Sequence, residues 1–249
     1  MMMEQQTDRV ALLGGRVILY QPRQGYRAAI DPVLLAASVP AQPGERVLDL
    51  GCGAGAALLC LAARLPETSL TGLERQPDAA ALARRAILEN GWVDRAFVVE
   101  GDVAAPPAAL AANSFHHVMT NPPFWAAGRH SPSPSAGKAD SHGENETGLA
   151  DFIQAAVRLL RSRGTLTIIW PTERLDALLA LLPGRFGDIT LLPLWPRGGQ
   201  AAKRVIVQAK RDGRGPFRLL PGLILHAESG YSPEATAILR DAAPLIPSP

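Results

Sequence analysis

The chain alternates between short apolar runs and longer segments in which apolar residues recur at helical spacing. Short apolar runs bounded by turn residues are typical of buried strands, and the helical spacing is typical of helices with one buried face. The runs predict strands at residues 46–50, 69–74, 96–100, 117–120, 165–170, 188–192 and 204–209. The other segments predict helices at about 55–65, 77–90, 149–161 and 175–182. This alternation predicts an α/β fold with a mainly parallel, doubly wound sheet.

An extension precedes this alternation. Residues 9–22 are short apolar pieces separated by two glycines, which predict a small hairpin. Asp31 followed by Pro32 is typical of a helix start, with Asp31 as the cap. We therefore expect residues 1–40 to pack as an extension on a main domain of residues 41–249.

One long segment of the main domain shows no periodicity. Residues 126–148 are rich in Gly, Ser, Pro, His and Asn. Loops of this length inside a compact domain are usually functional or disordered. Because the segment follows the Asn-Pro-Pro-Phe motif described below, we predict a flexible loop that covers the substrate rather than an inert insertion.

Composition narrows the class of protein. In 249 residues the hydrophobic share is 47% and the formal net charge +2, so whole-chain disorder is excluded and charge alone leaves the partner open. The two cysteines, Cys52 and Cys60, form no disulfide framework, and the histidines show no metal-ligand spacing with them. The polar N-terminus lacks a secretory signal. We expect a soluble, cytoplasmic protein without a metal.

A glycine-rich turn, Asp49-Leu50-Gly51-Cys52-Gly53-Ala54-Gly55, joins the strand at 46–50 to the helix after it. Glycines there adopt backbone angles closed to other residues and let a ligand approach the main chain. Glu74 ends the next strand, where a carboxylate can bind both ribose hydroxyls. Asp102 follows the third strand, where a carboxylate can meet an adenine amine. A turn that only needs small residues would explain the glycines but not these carboxylates.

Two cofactors share these features. An NAD-dependent oxidoreductase would use the turn and Glu74, but its Gly-x-Gly-x-x-Gly fingerprint serves a pyrophosphate, and Ala56 occupies the last position here. Asp49, two residues before Gly51, points a carboxylate where a cationic amino group can sit. A ligand with a ribose, an adenine and an ammonium but no phosphate fits this set better. The pattern therefore favours S-adenosylmethionine over NAD.

The fourth predicted strand of the sheet ends in Asn121-Pro122-Pro123-Phe124. The prolines stiffen an extended segment, which can aim the Asn121 side-chain oxygen and the Pro122 carbonyl at one amine. A conjugated amine is a poor nucleophile, and two hydrogen bonds from its N–H groups would favour a pyramidal nitrogen whose lone pair faces the methyl group. Phe124 would stack on the base. Asn-Pro is also an ordinary turn signal, but its place one strand beyond the glycine-rich turn, Glu74 and Asp102 favours the catalytic interpretation.

With these motifs the chain resembles the Rossmann-type methyltransferases that carry an Asn-Pro-Pro-aromatic motif. Within them it is most similar to the bacterial group that includes the valine-tRNA adenine-N6 methyltransferase. Beyond the core, the resemblance rests on the segments at 31–36 and 226–234. It implies a seven-stranded sheet whose last strand is antiparallel, with S-adenosylmethionine as cofactor.

The resemblance also implies roles for individual residues. Asp49, Gly51 and Gly53 would hold the methionine moiety, with Cys52 and Gly55 in the same turn. Glu74 would bind the ribose and Asp102 the adenine. Asp31 would close over the cofactor, and Asn121 would border both cofactor and target. Asn121, Pro122, Pro123 and Phe124 would form the target pocket.

The acceptor is less specified than the chemistry. Relatives with similar motifs modify adenine in DNA or RNA, guanine in ribosomal RNA, or a glutamine in release factors. We expect adenine N6 in tRNA. The alternatives are protein glutamine-N5 or rRNA guanine-N2 methylation and, from other classes, an NAD-dependent oxidoreductase or an inactive cofactor-binding protein. The candidate phosphate contacts are Arg23, Arg27, Arg129, Lys138, Arg197, Lys203 and Arg204.

One residue departs from the family pattern. His117 stands where relatives usually carry Asp before the fourth strand. We expect it to be a surface residue without a catalytic role.

Overall fold

The apolar runs of the sequence become the strands of one main sheet. In the computed structural model, which describes residues 7–23, 29–123 and 148–245, the strands are β1 (Thr7–Leu12), β2 (Val17–Pro22), β3 (Arg46–Leu50), β4 (Ser69–Glu74), β5 (Ala96–Glu100), β6 (Phe115–Thr120), β7 (Leu160–Pro171), β8 (Phe186–Trp195), β9 (Arg204–Arg211), β10 (Arg218–Leu219) and β11 (Leu223–Ile224). The helices are α1 (Asp31–Ala37), α2 (Ala56–Arg64), α3 (Pro77–Glu89), α4 (Leu149–Leu159), α5 (Leu175–Leu181) and α6 (Pro233–Asp241). Short 3₁₀ helices cover Leu13–Gly15 and Thr172–Arg174.

The order of the long strands in the sheet is β5-β4-β3-β6-β7-β9-β8. The strands from β5 to β7 are parallel, and β9 runs antiparallel to both of its neighbours. The predicted seven strands and the antiparallel last one are therefore confirmed. Two further strands, β10 and β11, were not predicted; each contributes two residues paired parallel with β8.

Helices cover both faces of the sheet, as the alternation predicts. Side chains alternate between two apolar cores: Val47 lies in a core with α1, α2, α3 and α6, whereas Leu48 and Leu50 lie in a core with α4 and α5. The predicted hairpin is formed by β1 and β2. The Ile18 backbone of this hairpin forms two hydrogen bonds with the side chain of Asn90, which follows α3, at 2.9 and 2.7 Å. The hairpin therefore packs on the core that contains α1, α2, α3 and α6.

Besides small shifts at the ends of other elements, the start of β7, the cap of α1 and the presence of α6 differ from the prediction. β7 begins at Leu160, earlier than expected, because Leu160 pairs with Phe115 across a register shift. Asp31 is the first residue of α1 and Ile30 is the N-cap, so Asp31 does not cap the helix. Helix α6 was not predicted; only Ala235 and Ile238 of it are buried, which leaves a weak apolar pattern.

The predicted loop at 126–148 lies outside the described residues except for Gly148, which precedes α4. No helix in the described parts of the chain is long and apolar enough to cross a membrane.

Candidate active site at the carboxyl edge of the sheet

The predicted site residues meet at the edge where the parallel strands end. β3 is paired with β4 on one side and β6 on the other, with Leu50 opposite both Leu73 and Thr120. Chain connections leave the sheet in opposite directions from β3 and β6, which makes this position the topological switch point where ligands of doubly wound sheets bind. The glycine-rich turn follows β3, and Asn121 follows β6.

Backbone hydrogen bonds hold the glycine-rich turn against β4. The Gly51 and Cys52 N–H groups both donate to the Leu73 carbonyl, at 2.8 and 3.0 Å. Gly53 has a φ of +55°, which favours glycine, and a Cβ atom built there would meet no atom within 4 Å. The outer side of the turn is therefore open for a ligand to approach the main chain.

Glu74 lies beneath this turn. One carboxylate oxygen accepts a hydrogen bond from the Gly53 N–H and the other from the Gln76 N–H, both at 2.8 Å. The residue is 7% exposed. Because each carboxylate oxygen has two lone pairs, the carboxylate can still accept hydrogen bonds from a vicinal diol such as a ribose.

Asp49 carries a buried carboxyl group with an unsatisfied oxygen. The residue is 2% exposed, and among the described residues its Oδ2 has no hydrogen-bond partner. Burial, together with the negative charge of Glu74, raises the pKa of Asp49 to about 7. A hydrogen bond from the Leu58 N–H lowers the pKa but offsets only part of this rise. A buried carboxylate of this kind is stabilised by a cation, so the site is suited to a ligand that carries an ammonium group.

Two further predicted carboxylates border the site. Asp102 Oδ1 accepts a hydrogen bond from the Ala104 N–H at 2.9 Å, and its Oδ2 lies 3.6 Å from Arg75 Nη1. Asp31 Oδ2 forms an ion pair with Arg204 Nε at 3.0 Å, which ties the start of α1 to the start of β9.

The target side of the site begins where β6 ends. The Thr120 hydroxyl donates to the Leu50 carbonyl at 2.8 Å, which fixes the end of β6 to β3. Asn121 is half-buried, Pro122 buried and Pro123 exposed. Phe124 lies outside the described residues, so the predicted stacking role stays a prediction.

The expectation for His117 was wrong. His117 is 7% exposed, and its Nε2 lies 2.8 Å from Glu45 Oε2. Burial lowers the pKa of His117, although Glu45 opposes the shift. The side chain lies on β6 near its amino end, away from the site, so it is a buried hydrogen-bonding partner of Glu45 rather than a surface residue.

The candidate phosphate contacts are not grouped in one place. Arg23 pairs with Asp8 at 3.1 Å in the hairpin. Arg197 donates to the Ala227 carbonyl at 2.6 Å. Arg204 is the first residue of β9, on the carboxyl edge of the parallel strands, and Lys203 directly precedes it. Arg27, Arg129 and Lys138 lie outside the described residues.

Sequence reasoning missed the packing beneath the glycine-rich turn. A Cβ at Gly51 would lie 3.2 Å from Phe152 Cε1, and a Cβ at Gly72 would lie 2.6 Å from Cys52 Sγ. Phe152 of α4 therefore supports the turn from one face of the sheet, and the Cys52 thiol fills the space above Gly72. A glycine inside a strand signals such a close approach, but it does not name the neighbour.

Known proteins resemble the chain over most of its length. The family model "Methyltransferase small domain" matches residues 29–192. The tRNA1(Val) (adenine(37)-N6)-methyltransferase of Shewanella amazonensis is 30% identical over 218 residues, covering 87% of this chain and 91% of the relative. The enzyme of the same name from Porphyromonas gingivalis is 29% identical over 225 residues, covering 84% and 85%. A solved structure, a predicted O-methyltransferase from Agrobacterium tumefaciens, has a TM-score of 0.70 and 30% identity, covering 84% of this chain and 94% of that one.

Proposed function

The chain belongs to the methyltransferase small domain family, and from that premise we propose that it methylates the N6 amine of an adenine in tRNA. It is an S-adenosylmethionine-dependent N-methyltransferase, which rules out the NAD-dependent alternative. The observation that carries the proposal is the meeting of Asp49 and Glu74 with Asn121 and Pro122 at one sheet edge, through the pairing of β3 with β4 and β6.

The residues of the glycine-rich side fit the cofactor. The unsatisfied oxygen of Asp49 would pair with the ammonium of the cofactor. The Glu74 carboxylate would accept hydrogen bonds from its ribose hydroxyls. The Asp102 carboxylate would accept a hydrogen bond from the adenine amine. The methionine moiety would lie against the open side of the turn at Gly53. Asp31 would lie over the cofactor, held by Arg204. Once bound, S-adenosylmethionine supplies a methyl group activated by a positively charged sulfur.

On the target side, Asn121 and Pro122 would orient the amine. The Asn121 side-chain oxygen and the Pro122 carbonyl would each accept one N–H of the exocyclic amine, leaving the nitrogen lone pair directed at the methyl group. Two acceptors match an amine, which has two N–H groups to donate, better than a hydroxyl, which has one. After transfer the extra amine proton is lost to water, so the step needs no strong base.

The choice of acceptor is supported by the relatives. The two enzymes named as acting on adenine(37) of tRNA1(Val) align over 84% or more of this chain. Lys203 lies on the same sheet edge as Asn121, and its exposed ammonium would meet a phosphate of a folded RNA. The target adenine would have to leave its stack to reach the Asn121 pocket.

Mass spectrometry of nucleosides tests the acceptor. We expect one N6-methyladenosine to disappear from tRNA of cells that lack the gene, and purified protein to restore it with S-adenosylmethionine. Unchanged tRNA together with an unmethylated release-factor glutamine or ribosomal guanine would overturn the proposal in favour of that acceptor.

A substitution tests the mechanism. Asn121→Ala should lower kcat by about 10²–10³-fold, as the loss of one well-placed hydrogen-bonding group does in other sites, while S-adenosylhomocysteine still binds. Gln154→Ala, which removes an exposed amide from α4, is the control and should behave as wild type. Full activity in the Asn121 variant would contradict the role of this residue.

A further inference from the structure

A cavity of ≈ 690 Å³ opens at the carboxyl end of β8, next to the start of β9. Its volume falls within the roughly 300–1,000 Å³ typical of small-molecule sites. No residue given a role in methyl transfer lines it, except Arg204. The cavity is lined by Thr172, Glu173, Leu175, Leu191, Pro193, Trp195, Ala201, Ala202, Lys203, Arg204, Val205 and Leu219.

The cavity lies on the same edge of the sheet as Asn121. In the order β6-β7-β9-β8, it spans the ends of β7 and β8 and the beginning of β9. Strands lie about 4.8 Å apart, so its centre is about 10 Å along the edge from the end of β6. The Thr172 N–H donates to the Lys203 carbonyl at 3.3 Å, and the Thr172 hydroxyl to the Ala202 carbonyl at 2.5 Å. These bonds close the inner wall of the cavity on the end of β7.

The lining combines apolar walls with charges at the rim. Among the apolar lining residues, Leu191 and Val205 are buried, Pro193 is half-buried and Leu219 is exposed. The Trp195 indole N–H donates to the Pro221 carbonyl at 3.0 Å, which holds its ring in place. Lys203 and Glu173 are both exposed. Apolar walls suit the faces of a nucleobase, an ammonium suits a phosphate, and a carboxylate accepts the amine of a base.

We propose that this cavity binds a nucleotide of the acceptor RNA that neighbours the target adenosine, with Lys203 on its phosphate. The proposal rests on the proposed function, because it takes RNA as the acceptor. A free mononucleotide is a poorer occupant, since Lys203 is the one exposed cation in the described lining and could not neutralise several phosphate charges. The cavity would thus contribute to recognition of the RNA around the target, whereas Asn121 would recognise the amine that is methylated.

A charge substitution tests the phosphate contact in the full-length protein. Lys203→Ala should weaken binding of a tRNA transcript by roughly tenfold, the loss expected for one charge-assisted hydrogen bond. The slope of log affinity against log salt should become shallower by about 0.7. Lys210→Ala is the control, because Lys210 is the residue before the last one of β9 and lies at the opposite edge of the sheet. Lys203→Arg should retain most of the affinity.

A substitution that fills the cavity tests its apolar lining. Leu219→Trp would place a large side chain in the cavity from an exposed position, 67% accessible, so folding should be preserved. We expect a rise in KM for tRNA with kcat at saturating tRNA and the Kd for S-adenosylhomocysteine unchanged. Leu88→Trp, at a position 69% accessible on α3, is the control.

The outcomes separate the two proposals. If the wild-type protein methylates tRNA and the Lys203 and Leu219 variants match it in KM and salt slope, the cavity proposal is wrong and the proposed function stands. If the wild-type protein methylates a release factor instead, both proposals fail. A raised KM in both variants, with normal controls, supports the cavity as an RNA subsite.

Discussion

The Asp31 carboxylate and the Arg204 guanidinium lie 3.0 Å apart, although 173 positions separate them in the chain. The contact joins the first helix to the strand that borders the RNA cavity. Asp31 is the residue proposed to lie over the cofactor, so the ion pair connects the proposed donor site with the proposed acceptor site.

A double-mutant cycle of Asp31→Asn and Arg204→Ala measures this contact. Arg204 is 35% exposed at its side chain, so solvent screens the pair and we expect a coupling energy of about 0.5–1 kcal/mol in urea unfolding. Each single variant should also weaken S-adenosylhomocysteine binding a few-fold, because Asp31 is no longer held or no longer charged. Additive stability changes with unaltered cofactor affinity would show that the pair has neither role.

Cofactor binding should depend on pH through Asp49. Burial and the charge of Glu74 raise the pKa of Asp49 to about 7, and a bound ammonium favours the ionised form. The Kd of S-adenosylhomocysteine should therefore rise by about tenfold per pH unit below pH 7 and level off above it. Isothermal titration between pH 5.5 and 8.5 measures this curve.

The Asp49→Asn variant should remove that pH dependence and bind weakly at every pH. Asp94→Asn, at an exposed position before β5, is the control and should keep the wild-type curve. A pH profile in the Asp49 variant equal to that of the wild type would assign the titration to another group.

The close approach of Cys52 and Gly72 should make Gly72→Ala destabilising. A Cβ at position 72 would lie 2.6 Å from Cys52 Sγ and 3.1 Å from its Cβ. Overpacking of this kind costs about 1–3 kcal/mol in the free energy of unfolding. Adding Cys52→Ala removes the nearer atom and should restore part of the loss, which denaturant titration of the single and double variants measures. Equal losses in both backgrounds would place the strain elsewhere.

The contribution of His117 to folding stability should fall with acid. Burial lowers the pKa of His117 below its ordinary 6.5, so the unfolded chain takes up this proton first. Burial alone would raise the pKa of Glu45, but the Gln42 N–H and His117 outweigh it and the pKa is lowered from 4.5. In both cases the unfolded state binds more protons, so stability decreases as pH falls, first below about 6.5 and again below about 4.5.

The His117→Gln variant isolates the first of these steps. Asp49, with its raised pKa, acts in the opposite direction, so the quantity to compare is the difference in unfolding free energy between wild type and variant. The stability of the wild type relative to the variant should fall between pH 7.5 and 5.5, because only the wild type carries the His117 contribution. A difference that stays constant over this range would contradict the role of His117. His226→Gln, at a histidine that stacks on Tyr231 rather than pairing with Glu45, should follow the wild-type profile.

Much of the fold could be predicted because each long strand has its own apolar run. The two-residue strands β10 and β11 could not, since they are defined by backbone pairing with β8 and carry no pattern of their own. Helix α6 was missed because only Ala235 and Ile238 of it are buried.

The site could be predicted where its residues are consecutive in the sequence, as in the glycine-rich turn and Asn121-Pro122-Pro123. Contacts between distant positions were not. Gly72 accommodates the Cys52 thiol, and Asp31 pairs with Arg204, only because the sheet and α1 bring them together. His117 was misassigned for the same reason, because its partner Glu45 lies 72 positions earlier.

The border between β3 and β6 separates two groups of strands in the sheet that have different proposed roles. β3, β4 and β5 lead to the groups proposed for the methyl donor, whereas β6 to β9 carry Asn121 and the RNA cavity. Substitutions along β7 to β9 should therefore affect the acceptor more than the methyl donor, whereas the junction of Thr120 with the Leu50 carbonyl serves both.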